Sequence, residues 1–257
     1  MLRHRDTGFR LYLQSASLCL RNAGMEARDF NRVRLHKTYE DDIVARNNVR
    51  RRADLGAVLD FLASSTGSLI NPTNIANAFN SEKRSDVSRN TVAAYIGYLE
   101  NAFLISEAKC FDLRGREYIS GQQKYYFTDM GLRNARLNFH QFDRQRLLEN
   151  AVYNELLVRG YSVDVGRVQV KVKNCDGKQQ IKTLESDFVV HDFSRQMYIQ
   201  VTQGVDDDEK LNQESASLRH IRDSFPKYIL VDEDVPDHYT DNGIRVISVE
   251  DFLLSEI

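Results

Sequence analysis

The chain has 257 residues and a mass of 29.7 kDa, of which 42% are hydrophobic and 28% are charged. This composition is ordinary for one large or two small globular domains, and three prolines with thirteen glycines exclude collagen-like and low-complexity chains. The formal net charge of −2 conceals a gradient, because residues 1–52 hold twelve basic against six acidic side chains and residues 206–257 hold five against fourteen. The basic start suits an anionic partner, whereas the acidic end repels a phosphate backbone.

The sequence gives no sign of export or of membrane association. No apolar run reaches the length of a membrane span, and no apolar stretch follows the first six residues. The three cysteines, Cys19, Cys110 and Cys175, lie far apart without a CxxC pair, which argues against a disulfide framework and against a cysteine zinc site. We therefore expect a cytoplasmic protein without a membrane partner.

The first segment, residues 1–52, shows neither strand alternation nor a glycine-rich turn and is predicted to be helical. It is too short to enclose a core alone, so it should pack on another part of the protein.

Residues 53–140 have the pattern of three helices followed by a two-stranded ribbon. The first two helices are marked by apolar spacing that ends near Gly67 and by the start signal Asn71-Pro72. Ser88 is a suitable cap for the third helix. Strands are predicted over 104–111 and 124–127, on either side of a turn at 113–116. This order is typical of a winged helix-turn-helix, a fold that commonly places its third helix in the DNA major groove.

Two interpretations of this region stay open, a DNA-binding domain and a protein-interaction or spacer module. The residues offered to DNA lie near the start of the third helix and at the tip of the ribbon, where a wing reaches phosphates. They are Lys83, Arg84, Ser88, Arg89, Asn90, Thr91, Arg114 and Arg116.

Residues 141–257 predict an α/β domain around a mixed sheet. An amphipathic helix over 147–157 ends at Gly160, and strands are expected over 161–173, 181–190 and 197–203. A helix over 209–222, strands over 228–231 and 244–249, and a last helix over 250–254 complete the pattern.

Three oxygen-bearing residues of this domain are candidates for one site. Gln200 and Thr202 point the same way along their strand, and a hairpin places Asp187 beside Gln200. A helix packed on the sheet could bring Glu149 over the same edge. Together, Glu149, Asp187 and Gln200 would suit a hard cation such as Mg²⁺, which polarises a phosphodiester and activates water.

The order helix–β–β–β–helix–β, with Glu, then Asp, then an amide two residues before Thr202, resembles the PD-(D/E)XK nuclease pattern. More closely, the chain resembles the C-terminal region of prokaryotic AAA-type ATPases that carry the domain of unknown function numbered 4143. The likeness covers roughly residues 36–256 and is carried by Tyr39–Arg46, Ser88–Glu100, Lys124–Arg133, Leu148–Leu156 and Glu185–Val189.

The resemblance implies a winged helix-turn-helix followed by a PD-(D/E)XK restriction-endonuclease-like α/β domain, with domains at 1–52, 53–140 and 141–257. Residues 1–52 would then be helical and a remnant of the ATPase lid. The chain contains no G-x-x-x-x-G-K-[ST] loop, so it is not expected to bind a nucleotide or hydrolyse ATP by that mechanism. Thr202 occupies the position of the family's lysine, and Gln200 replaces a carboxylate. A neutral hydroxyl stabilises the developing phosphorane charge poorly, which favours a degenerate site.

Three functions therefore stay open. The first is a non-catalytic module that binds DNA or a protein partner. The second is a Mg²⁺-dependent phosphodiesterase that uses Glu149, Asp187 and Gln200. The third is a structural module that forms homo-oligomers.

Overall fold

A computed structural model describes residues 27–81, 87–141, 143–173, 178–192, 195–205 and 208–255. The chain is mixed α/β and divides into two compact units, neither of which is contiguous in sequence. The first comprises the described residues of Met1–Glu107 and Gln123–Ala151, and the second those of Ala108–Gln122 and Val152–Ile257. The domain boundaries expected after residues 52 and 140 remain predictions from the sequence.

The first unit is built from helices. Helix α1 spans Ala27–Lys37 and continues directly into a π-helical segment, Thr38–Ala45. The helices that follow are α2 (Arg52–Ser64), α3 (Pro72–Ser81), α4 (Arg89–Asn101), α5 (Met130–Arg136) and α6 (Arg144–Val158), whose last turns enter the second unit.

The apolar spacing correctly predicts the faces of α2, α3 and α4. The side chains of Leu55, Leu59 and Ile75 are completely buried in one core with those of Val92 and Leu99. Both start signals also operate: Asn71 Oδ1 accepts the Asn74 amide at 2.7 Å, and Ser88 Oγ accepts the Thr91 amide at 3.1 Å. Each cap satisfies one of the free N–H groups at a helix start.

One mixed sheet of eight strands runs in the order β2-β1-β3-β4-β5-β6-β8-β7. The bounds of its strands are β1 Ile105–Asp112, β2 Glu117–Phe127, β3 Ser162–Lys173, β4 Gln179–Asp192, β5 Arg195–Thr202, β6 Lys227–Val231, β7 His238–Tyr239 and β8 Arg245–Ser248. Strands β3, β4 and β5 form the expected antiparallel meander, whereas β5–β6 and β6–β8 pair in parallel. The sheet is therefore mixed, as the sequence predicted.

The first ribbon strand joins this sheet through an unexpected parallel pairing. Cys110, Phe111 and Asp112 of β1 pair with Val165, Gly166 and Arg167 of β3. This pairing places the tip of the ribbon in the second unit.

Two boundaries differ from the prediction for identifiable reasons. Strand β2 begins at Glu117, seven residues before the predicted start at Lys124. The prediction missed its first residues because they are largely exposed and polar and show no alternating apolar pattern. The predicted helix over 209–222 is two helices, α7 (Asp208–Glu214) and α8 (Ala216–Arg219). At the break, Ser215 Oγ donates to the Asn212 carbonyl at 3.3 Å, a local bond that competes with the helical pattern.

The last helix, α9 (Val249–Leu254), begins at a Ser248 cap. Among the described residues, no helix combines the length and apolar character that a membrane crossing requires.

We predict that Ser88→Ala lowers the free energy of unfolding by about 1 kcal/mol, because the first turn of α4 loses its cap. Urea unfolding followed by far-UV circular dichroism measures this. Ser224→Ala, at an exposed position outside any helix, is the matched control and should leave the midpoint unchanged. Equal effects of the two substitutions would contradict the capping role.

Candidate functional site

The structure brings Asp187 and Gln200 together across the β4–β5 hairpin. Gln200 Oε1 lies 3.4 Å from the Asp187 amide nitrogen, and Asp187 Oδ2 accepts the Val201 amide at 2.8 Å. Asp187 is 7% exposed, so its carboxylate is largely removed from water. We call Asp187, Gln200, Thr202 and the neighbouring Glu214 the hairpin site.

Glu214, at the end of α7, is the member of the hairpin site that the sequence analysis missed. Gln200 Nε2 donates to Glu214 Oε2 at 3.3 Å. Burial raises the pKa of Glu214 above its ordinary value, and the neighbouring polar groups of Gln200 and Thr202 oppose that rise. No motif marks Glu214, because its proximity to β5 arises from the packing of α7.

The groups of the hairpin site are directed at one another. The Thr202 hydroxyl donates to the Gly204 carbonyl at 3.2 Å, and the amide of Gln200 bonds to the Asp187 backbone on one side and to Glu214 on the other. Magnesium demands near-octahedral oxygen ligands, usually including carboxylates that are open to the ion. Among the described residues, no group of three or more His, Cys, Asp and Glu side chains could hold a metal ion. The hairpin site as arranged therefore fits a hydrogen-bonded joint better than a Mg²⁺ site.

Glu149, the third predicted ligand, lies in the first unit and takes part in a buried ion pair there. Its Oε1 accepts from Lys124 Nζ at 2.9 Å and from the Tyr126 hydroxyl at 2.5 Å. Lys124 is 3% exposed and Glu149 is 6% exposed, so each charge depends on the other for compensation. The adjacent Asn150 bonds to both backbone groups of Phe127, which fastens α6 to β2.

No pattern in the sequence marks Lys124 as a buried residue. Its position on a strand between polar and aromatic residues resembles that of any exposed strand lysine, and only the fold shows that it is enclosed. Three lysines could supply a cation in place of Thr202: Lys171, Lys173 and Lys182. All three lie toward the far end of the β3–β4 hairpin, where Lys171 and Lys182 are exposed.

The predicted nucleic-acid residues fall into three groups. Lys83 and Arg84 lie outside the described residues. Ser88 and Thr91 use their hydroxyls in the cap of α4, where the two oxygens are 2.9 Å apart. Arg89 and Asn90 are exposed on the first turn of α4, and Arg114 and Arg116 are exposed in the turn between β1 and β2.

Comparisons with known proteins give relatives but no activity. Residues 19–143 match a family model described as a domain of unknown function, DUF8612. A Haemophilus influenzae protein named "Uncharacterized protein" is 36% identical over 214 residues, which are 83% of this chain and 49% of that protein. A Methanocaldococcus jannaschii protein, "Uncharacterized protein MJ1544", is 27% identical over 210 residues, or 82% of this chain and 44% of that protein. The chain thus spans about half the length of the curated relatives it matches.

One solved structure, protein VC1899 from Vibrio cholerae, aligns over 88% of this chain and 53% of its own. The sequence identity is 15% and the TM-score is 0.29, which is too low to support an argument about fold or function.

We predict that Lys124→Met destabilises the first unit by about 3–5 kcal/mol, because it removes the ammonium group from a buried carboxylate. Urea unfolding of the full chain measures the loss. The double variant Lys124→Met, Glu149→Gln should recover a large part of it, since no buried charge is then left uncompensated. Lys171→Met, at an exposed lysine, is the control. Equal losses in the single and double variants would contradict the ion-pair interpretation.

We predict that Glu214→Gln makes the protein more stable at neutral pH. A carboxyl group whose pKa is raised by folding contributes stability below its unfolded value of 4.5, and this contribution is lost as the pH rises through the folded pKa. The amide keeps an acceptor for Gln200 and carries no charge to desolvate. We would measure the urea midpoint of the parent and of the variant at neutral pH and below pH 4.5. The difference between the two midpoints should be larger at neutral pH. A larger difference at acid pH would contradict the assigned direction.

Proposed function

We propose that this chain is the C-terminal module of an AAA-type ATPase-like protein, in which a winged helix binds duplex DNA and a PD-(D/E)XK-like domain is non-catalytic. A protein partner on the same helical surface is the alternative. The exposed first turn of α4 carries the proposal. Ser88 and Thr91 fix the start of this helix, and Arg89 and Asn90 extend from it without serving the cap.

The chemistry of these two side chains suits base recognition. Recognition helices contact base edges with residues of their N-terminal turns. Arginine pairs bidentately with guanine and asparagine with adenine in the major groove. The order α2, α3, α4 and then the β1–β2 ribbon is the order in which a winged helix presents its third helix and its wing.

The non-catalytic assignment is supported by the hairpin site. A PD-(D/E)XK nuclease needs a cation at the position of Thr202 to stabilise the attacking water and the developing charge. Thr202 is 3% exposed, and its hydroxyl donates to the Gly204 carbonyl at 3.2 Å. The Thr202 hydroxyl therefore supplies no positive charge and is not directed at an incoming phosphate.

Duplex binding measured by fluorescence anisotropy over a salt series tests the DNA half of the proposal. We expect an association that weakens as salt rises, because counterions are released from the phosphates. Arg89→Ala and Asn90→Ala should each weaken binding by about 1–3 kcal/mol and relax the sequence preference. Arg195→Ala, at an exposed strand arginine, is the matched control. Absent or salt-insensitive association would remove DNA as the partner and leave the protein partner.

A second candidate, a metal-dependent phosphodiesterase, is favoured by one observation. Asp187 and Glu214 both contact Gln200, so two acidic residues adjoin one amide side chain. Incubation with Mg²⁺ or Mn²⁺ and several forms of DNA and RNA tests for cleavage. Cleavage that is lost in Asp187→Ala would establish this function and overturn the non-catalytic assignment, whereas cleavage that survives the substitution would place any active site elsewhere.

A further inference from the structure

A small basic cleft lies within the second unit, at the tip of the β1–β2 ribbon. Its volume is about 200 Å³. Arg114 and Arg116 from the ribbon turn and Arg222 from the segment after α8 contribute its charge. The buried side chains of Val168 and Ile221 form its inner wall.

The guanidinium groups of the three arginines form no ion pair and no side-chain hydrogen bond with the described residues. Two carboxylates, those of Asp112 and Glu117, lie in the same ribbon turn beside Gly115. All three side chains are exposed, so their charges are available to a ligand. His220 also lines the cleft, with its Nδ1 2.7 Å from the Ala216 carbonyl oxygen.

The one carboxylate in the lining is already fully engaged. Asp223 Oδ2 accepts from the Tyr198 hydroxyl at 2.5 Å, and its Oδ1 accepts from the Phe225 amide at 3.2 Å. Lys227 Nζ lies 3.6 Å from the same Oδ1. The hydroxyl and the amide hold the Asp223 carboxylate in place, and the ammonium of Lys227 compensates its charge. The three arginines therefore outweigh this one carboxylate in the lining of the cleft.

The backbone of the ribbon turn is strained at one of its arginines. Arg116 has φ 54°, a left-handed conformation that disfavours residues with a side chain, and its amide donates to the Asp112 carbonyl at 2.8 Å. The Asp112 carboxylate accepts the Arg114 amide at 3.0 Å, so this acidic side chain fixes the turn. Glycine would occupy position 116 without strain, yet the chain places an arginine there. Strain of this kind concentrates at positions that contact ligands.

We propose that this cleft binds a backbone phosphate of a nucleic-acid strand, held by Arg114, Arg116 and Arg222. Guanidinium groups pair bidentately with phosphate oxygens, which a single ammonium cannot do. The volume is below that of pockets that enclose drug-sized ligands, so it suits one phosphate and its sugar. The apolar wall offers a surface for the sugar. This site rests on the proposed nucleic-acid function and adds a contact that is separate from the α4 surface.

The test uses the full chain and the variants Arg116→Gly and Arg222→Ala, with Arg195→Ala as the control. Arg116→Gly removes the charge and relieves the left-handed strain, so it should fold at least as stably as the parent. We expect each cleft variant to weaken binding of a short labelled single strand about tenfold. The slope of log K against log salt should also fall by about 1 for each arginine removed.

The outcomes separate this site from the proposed function. Weaker binding in Arg89→Ala with full binding in both cleft variants would overturn the cleft and leave the winged-helix proposal intact. Absent duplex binding together with single-strand binding that requires Arg116 and Arg222 would support the cleft and overturn the winged-helix proposal. Complete displacement of the strand by equimolar inorganic phosphate would show a site for free phosphate and overturn the strand assignment. Unchanged single-strand binding in a double variant that combines Arg116→Gly and Arg222→Ala would overturn the cleft directly.

Discussion

The parallel pairing of β1 with β3 determines where the ribbon turn lies in the second unit. One further hydrogen bond extends this pairing beyond the end of β1: the Leu113 amide donates to the Arg167 carbonyl at 2.9 Å. Gly166 lies at this pairing in a crowded position. A Cβ atom there would lie 2.9 Å from Val189 Cγ2 and 3.1 Å from Leu113 Cδ1, both closer than packed carbon atoms normally come. A larger residue would therefore require the side chains of Val189 and Leu113 to shift.

The buried charges of the first unit have a structural explanation that differs from their role in the nuclease pattern. Glu149 matches the position of the pattern's first acid, yet its carboxylate is compensated by Lys124 and Tyr126. A buried ion pair adds little net stability compared with apolar packing, but removing either partner is costly. The pair therefore enforces one arrangement of α6 against β2, which Asn150 reinforces through Phe127. Such a constraint does not require catalysis.

The sequence predicted those features that depend on local chemistry. The stripe from Leu55 to Leu62 and the cap at Ser88 each act within one helix, so periodicity and residue type suffice to predict them. The sequence could not predict the parallel β1–β3 pairing, because it joins segments that lie far apart in the sequence. It could not predict the placement of Glu214 beside Gln200 either, because that placement depends on how α7 packs. Helix α5 was not among the predicted elements, although Asp129 is a residue type that favours a helix start. Its carboxylate accepts the Gly131 amide at 2.7 Å and caps α5.

The distribution of charge also limits where a polyanion can bind. Between residues 206 and 257, fourteen acidic side chains face five basic ones, so most of this segment repels phosphate. Two of those basic residues are paired with carboxylates: Lys227 lies beside Asp223, and Arg245 binds Asp237 through Nε and Nη2. Arg222 has no such partner among the described residues and lies at the cleft with Arg114 and Arg116. Because a bound counter-charge weakens the field of a charged group, these three arginines attract an anion more strongly than the paired Lys227 and Arg245 do.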